Sequence, residues 1–98
     1  MKPVVLHCEA DVELTAAAKY YACARPELAR DFLHAFRVAK DAIAQRPDRF
    51  SFLEKPVRRV RISGFPYRII YEELDDCVQV LAIMHDGRDP DYWKNRLS

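Results

Sequence analysis

Between Arg58 and Arg68 the chain carries four arginines, Arg58, Arg59, Arg61 and Arg68, with no acid among them. A guanidinium stays protonated at any ordinary pH and presents its N–H donors as a rigid fork, so this chemistry holds phosphate or carboxylate. Arg59, Arg61 and Arg68, with Arg88 further on, are the candidate anion- or target-binding residues. The nearby side chain that titrates near neutrality is His85, and Tyr92 follows it. The segment from Glu72 to Asp91 reverses the balance, with seven acids against Arg88 alone. Such segregation fits a basic face for an anionic partner, and it equally fits charge pairing between adjacent strands.

Each candidate also has a plainer reading. Arg59 and Arg61 suit a solvated strand face, and Arg68 suits an ion pair with Glu72 or with an acid of the last segment. His85 suits a strand-end histidine bonded to neighbouring backbone, and Tyr92 suits packing with Trp93 against a sheet. His7 and His34 show no partner pattern and read as structural or exposed. Cys8, Cys23 and Cys77 are odd in number and form no C-x-x-C pair. That argues against a disulfide framework and a closed zinc site, leaving free thiols packed as small core hydrophobes. No metal or cofactor is expected.

The elements that must position these residues follow from periodicity. Val57–Ser63, Phe65–Tyr71 and Cys77–His85 read as three strands, joined by turns at Ser63-Gly64 and Leu74-Asp75-Asp76. Phe65, Tyr67, Ile69 and Tyr71 share one face, opposite Arg68 and Ile70. Val78–Met84 is nearly all apolar, as a central strand covered on both faces would be. Upstream, Lys2–Cys8, with Val4, Val5 and Leu6 in sequence, suits a short buried strand. Asp11 is placed to cap a helix carrying Leu14, Ala17, Ala18 and Tyr21 on one side, which Pro26 ends. A second helix follows, with Leu28, Phe32, Ala35, Phe36, Ala39 and Ile43 as its stripe. Asp48–Pro56 reads as a loop anchored by Phe50, Phe52 and Leu53, and Asp89-Pro90 as the start of a short helical turn. The order is β-α-α-β-β-β, an α+β fold with a helical hairpin packed on a four-stranded, mostly antiparallel sheet.

At 98 residues, half of them hydrophobic and with a net charge of +1, the chain reads as one globular domain spanning residues 1–98. No apolar run approaches the ~20 residues needed to cross a bilayer. An acid at Glu9 comes too early for a signal peptide, so a cytoplasmic protein with no membrane partner is expected.

The run Arg-Arg-Val-Arg-Ile-Ser-Gly-Phe-Pro-Tyr-Arg-Ile-Ile-Tyr (58–71), the apolar strand ending in His85, and Arg88-Asp89-Pro90 with Trp93 resemble the RelE/ParE toxins of bacterial type II toxin–antitoxin modules. The hairpin ending in Arg-Pro-Asp-Arg-Phe (46–50) is similar to the ParE, plasmid-stabilisation branch. The resemblance implies a growth-inhibiting toxin of the same fold, neutralised by a cognate antitoxin. ParE-like members poison DNA gyrase, whereas RelE-like members cut messenger RNA on the ribosome. By position, Arg59 and Arg61 match the paired lysines of the RelE strand, Arg68 its next-strand arginine, and Arg88 the arginine past the last strand. Lysine can be shifted to act as a base, but arginine cannot. Under a nuclease reading, acid–base work therefore falls to His85 and Tyr92 as the catalytic pair. The missing lysines favour a ParE-like inhibitor with no catalytic centre.

Overall fold

The computed structural model describes residues 1–97. In chain order these form β1 (Val4–Leu6), α1 (Cys8–Ala24), α2 (Pro26–Gln45), β2 (Phe52–Glu54), β3 (Val57–Arg61), β4 (Tyr67–Glu73), β5 (Val78–His85) and a 3₁₀ turn at Lys94–Arg96. The expected helical hairpin and meander are present. The sheet, however, has five strands rather than four, in the order β1-β5-β4-β3-β2. The added strand, β2, lies inside the stretch read as a loop, where three residues are too few to show a period. It pairs antiparallel with β3, Phe52 opposite Arg58 and Glu54 opposite Val57.

The sheet is mostly antiparallel, as expected, and its first strand is only partly covered rather than the buried strand expected. β1 pairs parallel with β5, Val4 opposite Val78 and Leu6 opposite Val80, so the sheet is mixed. It is an edge strand, with Val5 half-exposed, because only one of its sides has a neighbour. Helix α1 begins at Cys8, earlier than expected, and its cap is His7 rather than Asp11. The His7 Nδ1 accepts the Glu9 N–H at 3.1 Å, doing for the first turn what an Asp or Ser oxygen usually does. Pro26 opens α2 as expected. Cys8 and Cys23 are free but exposed, so they are not the core residues they were read as.

The helices cover one face of the sheet. Phe32, Phe36, Ala39 and Ile43 of α2 join Ala10 and Ala17 of α1 over Ile69, Tyr71, Val78, Val80 and Ile83. Tyr21, Phe32, Phe65 and Tyr67 pack as mostly edge-on rings, with centroids 5.0 to 6.4 Å apart. Such geometry adds to the area they bury. On the opposite face a smaller cluster gathers Val57, Ile70, Leu81, Ala82 and Met84 around the fully buried Trp93. β5 is thus covered on both sides. The turn from β3 to β4 closes with the Phe65 N–H on the Ile62 carbonyl at 3.1 Å, and Gly64 sits at φ +87°. That is the left-handed position a type II turn reserves for glycine.

The Tyr71 hydroxyl ties the sheet to the end of α2 by donating to the Pro47 carbonyl at 2.7 Å. Burial, the largest cause, pushes its phenol from 10.0 up to about 12. The fold therefore favours the neutral form. That contribution is complete below the unfolded value and is lost as pH rises through the folded one. Tyr71→Phe is expected to lower stability by about 1 kcal/mol near neutrality and to flatten the loss between about pH 10 and about pH 12. Urea unfolding of both proteins across that range checks it.

Candidate functional site

The six candidate residues separate into two groups, and β5 decides the split. Its register against β4 shifts between Ile70 and Tyr71: Ile70 faces Ala82 while Tyr71 faces Val80, so Leu81 is the extra residue of a bulge. Val78 and Val80 point towards the helices, Leu81 and Ala82 both join the Trp93 cluster, and Ile83 returns to the helix side. His85 follows Ile83 to the helix side, where its ring meets Tyr67 edge-on at 5.1 Å. Asp86 falls on the other face.

That other face carries Arg59, Arg61 and Arg68. Arg61 and Arg68 are directly opposed across β3 and β4, a like-charge placement that disfavours pairing unless it is neutralised. Asp86 bridges them, its Oδ2 3.2 Å from Arg61 Nη2 and its Oδ1 3.6 Å from Arg68 Nε. Arg61 also donates to the Phe65 carbonyl at 3.1 Å. Arg59, Arg61 and Arg68 line an open recess of about 340 Å³ with Phe50, Ser51 and Val60, and no acid lines it. Arg58 takes no part: it donates to the Phe50 carbonyl at 2.6 Å and lies 3.8 Å over the Phe52 ring. Phe52 is therefore a lid under an arginine, not the core anchor expected; Phe50 and Leu53 do pack inward.

His85, Arg88 and Tyr92 line a second cleft, of about 230 Å³, beside Glu13 and Tyr20 of α1. The Gly87 N–H donates to His85 Nδ1 at 2.9 Å. In the neutral ring that bond leaves the proton on Nε2. Arg88 stacks 4.0 Å over the Tyr92 ring. Burial first, then the Glu13 carboxylate, raise the Tyr92 phenol above its ordinary range. A phenol so placed gives up its proton less readily than a free one. Asp89 begins the turn below, its Oδ1 accepting the Asp91 N–H at 3.0 Å.

Two residues that sequence reasoning did not single out together hold this cleft. β1 leaves β5 after Leu6, and beyond Val80 the outer edge of β5 lacks a strand. The Ile83 N–H donates instead to Glu13 Oε1 at 3.0 Å, and Arg96 Nη1 donates to the Leu81 carbonyl at 3.0 Å. Arg96 and Glu13 join as a fork, Nη1 to Oε1 at 3.0 Å and Nη2 to Oε2 at 3.1 Å. The Arg96 side chain is only 7% exposed. Glu13 reads in sequence as an acid of a helix's first turn, and no local signal points to a partner 83 residues away. Among the described residues, no group of three or more His, Cys, Asp or Glu is placed to hold a metal.

The arrangement of hairpin and mixed sheet recurs in a solved chain of the chromosomal ParDE toxin–antitoxin system from P. aeruginosa. The match has a TM-score of 0.75 at 17% identity and covers 87% of this chain and 96% of that one. At that identity the likeness shows the fold alone. Toxin ParE2 of Mycobacterium tuberculosis, found in two strains, is 29% identical over 86 residues, 87% of this chain and 82% of that toxin. The model of the ParE toxin of the type II toxin–antitoxin system parDE matches residues 4–90. The chain belongs to the ParE toxin family. It is the toxin component of a type II module, and such a module implies an antitoxin partner.

Arg96→Met is expected to lower stability by about 3 kcal/mol, because it strands the Glu13 carboxylate in a largely buried place. Adding Glu13→Gln to Arg96→Met should restore part of that loss. A double-mutant cycle in urea reads the coupling. Additive effects would show that the two do not act together.

Proposed function

We propose that this toxin arrests growth by contact, binding a DNA-handling enzyme such as DNA gyrase, and that a cognate antitoxin neutralises it. The observation that carries the reading is the separation of three of the four candidate arginines from His85 and Tyr92. Arg59, Arg61 and Arg68 lie on the open face of the sheet, while His85 and Tyr92 lie on the helix side. Phosphate-cleaving chemistry without a metal needs cations, a base and an acid around one phosphate. Arginine is no base, His85 Nδ1 is already occupied, and the Tyr92 phenol is pushed up. A basic face suits recognition instead. On this reading residues 1–98 act as one toxin domain in the cytoplasm, where gyrase works. Among the described residues no helix is long and apolar enough to cross a membrane.

A second reading, messenger-RNA cleavage in the RelE manner, draws on the fact that His85, Arg88 and Tyr92 line one cleft. One experiment divides the two. Purified toxin is expected to block gyrase supercoiling, and Arg59→Glu with Arg61→Glu should weaken that block at least tenfold, since each reversed charge at a contact costs on the order of 1 kcal/mol or more. His85→Ala with Tyr92→Phe should leave it intact. Unimpeded supercoiling together with messenger-RNA loss that this second pair of substitutions abolishes would transfer the function to the nuclease.

A further inference from the structure

The position of Asp86 between Arg61 and Arg68 deepens the contact reading, on which this inference rests, by defining what the basic face takes. We infer that Asp86 is an internal stand-in for a carboxylate of the bound partner, and that the recess at Arg59, Arg61 and Arg68 receives an acidic segment of that protein. The seat is shaped for a carboxylate: each Asp86 oxygen meets a different guanidinium, at 3.2 and 3.6 Å.

The seat is built to exchange its occupant. The Asp86 backbone is fixed, its N–H donating to the Pro66 carbonyl at 3.0 Å, so only the side chain must swing away. Arg61 keeps its bond to the Phe65 carbonyl whichever carboxylate it holds. The side chains of Arg61, Arg68 and Asp86 are 49%, 31% and 36% exposed. Ion pairs so open to water are worth about 0–1 kcal/mol. A partner carboxylate that is shielded from water on docking interacts more strongly with the same cations. Arg59, two residues before Arg61 on the same strand and lining the same recess, supplies a place for a second acid of the segment. Asp86 meanwhile keeps two directly opposed arginines from repelling each other in the free toxin.

Fluorescence anisotropy with a labelled glutamate-rich peptide tests this, alongside an equally charged single-stranded oligonucleotide. Asp86→Asn is expected to bind the peptide about fivefold tighter than the unsubstituted toxin, the factor that removing a competitor worth about 1 kcal/mol gives. Asp86→Ser should match it, and Arg61→Gln added to Asp86→Asn should cancel the gain. Unchanged or weaker peptide binding in both Asp86 variants, with unaltered thermal stability, overturns the inference. A larger gain for the oligonucleotide than for the peptide also overturns it, assigning the seat to phosphate. Gyrase inhibition measured on the same proteins separates the two levels. Inhibition without the Asp86 effect leaves the contact reading standing and removes the acid seat. The Asp86 effect without inhibition keeps the seat and removes gyrase as its target.

Discussion

The structure depends on how the open edge of β5 is closed. β1 accompanies β5 only from Val78 to Val80, and the chain then turns into α1, the His7 N–H making a last bond to the Val80 carbonyl at 2.8 Å. Leu81, Ala82 and Ile83 continue inward, fully or almost fully buried, with an unpaired edge. A buried backbone group without a partner costs about 1–3 kcal/mol. A carboxylate from α1 and a guanidinium from the 3₁₀ turn supply what a sixth strand would have supplied, and they are held to each other by two bonds. One ion pair therefore joins three parts of the molecule distant in sequence. It also holds the segment around Tyr92 against α1, which shapes the cleft beside His85.

The bulge at Leu81 has as large a consequence for chemistry. Side chains alternate along a strand, so one extra residue exchanges the faces of everything after it. Without the bulge, His85 would stand on the arginine face and Asp86 would point to the helices. With it, the imidazole is taken away from Arg59, Arg61 and Arg68, and the Asp86 carboxylate is brought to two of them. The same residue list thus becomes a basic face bridged by one carboxylate in place of a cationic site with an imidazole beside it. Leu81 and Ala82, thrown to one side together, also form the platform on which Trp93 is buried.

What could be read from sequence was whatever repeats within a few residues. The stripe from Phe32 to Ile43, the Ser63-Gly64 turn and the alternation of Tyr67, Ile69 and Tyr71 are all local patterns, and each reappears in the folded chain. What could not be read was decided by partners far along the chain. β2 is a strand because β3 lies beside it, and β1 is parallel because the hairpin carries the chain across the sheet face first. The partnership of Glu13 with Arg96 and the slip at Leu81 leave no periodic trace. The candidate residues were therefore recognisable by type, and three of the four arginines by face. Their division into two groups was not.

That division bears on how a toxin of this family can act. An enzyme needs its base and its electrophilic groups around one reacting atom, and a displacement of 1 Å weakens it. A contact inhibitor needs a surface whose charges are fixed in place before the partner arrives, since less side-chain freedom is then lost on binding. Arg61 is fixed twice, by Phe65 and by Asp86, and Arg68 shares the second of these contacts. Replacing Arg61 by lysine would remove the fork that holds the Phe65 carbonyl and the Asp86 carboxylate at once, while adding a group whose proton can be moved. Arginine at this position gives up the second property and keeps the first. In the free toxin the basic face accordingly holds the Asp86 carboxylate between two strands, while His85, Arg88 and Tyr92 lie together in a cleft on the other side of the sheet.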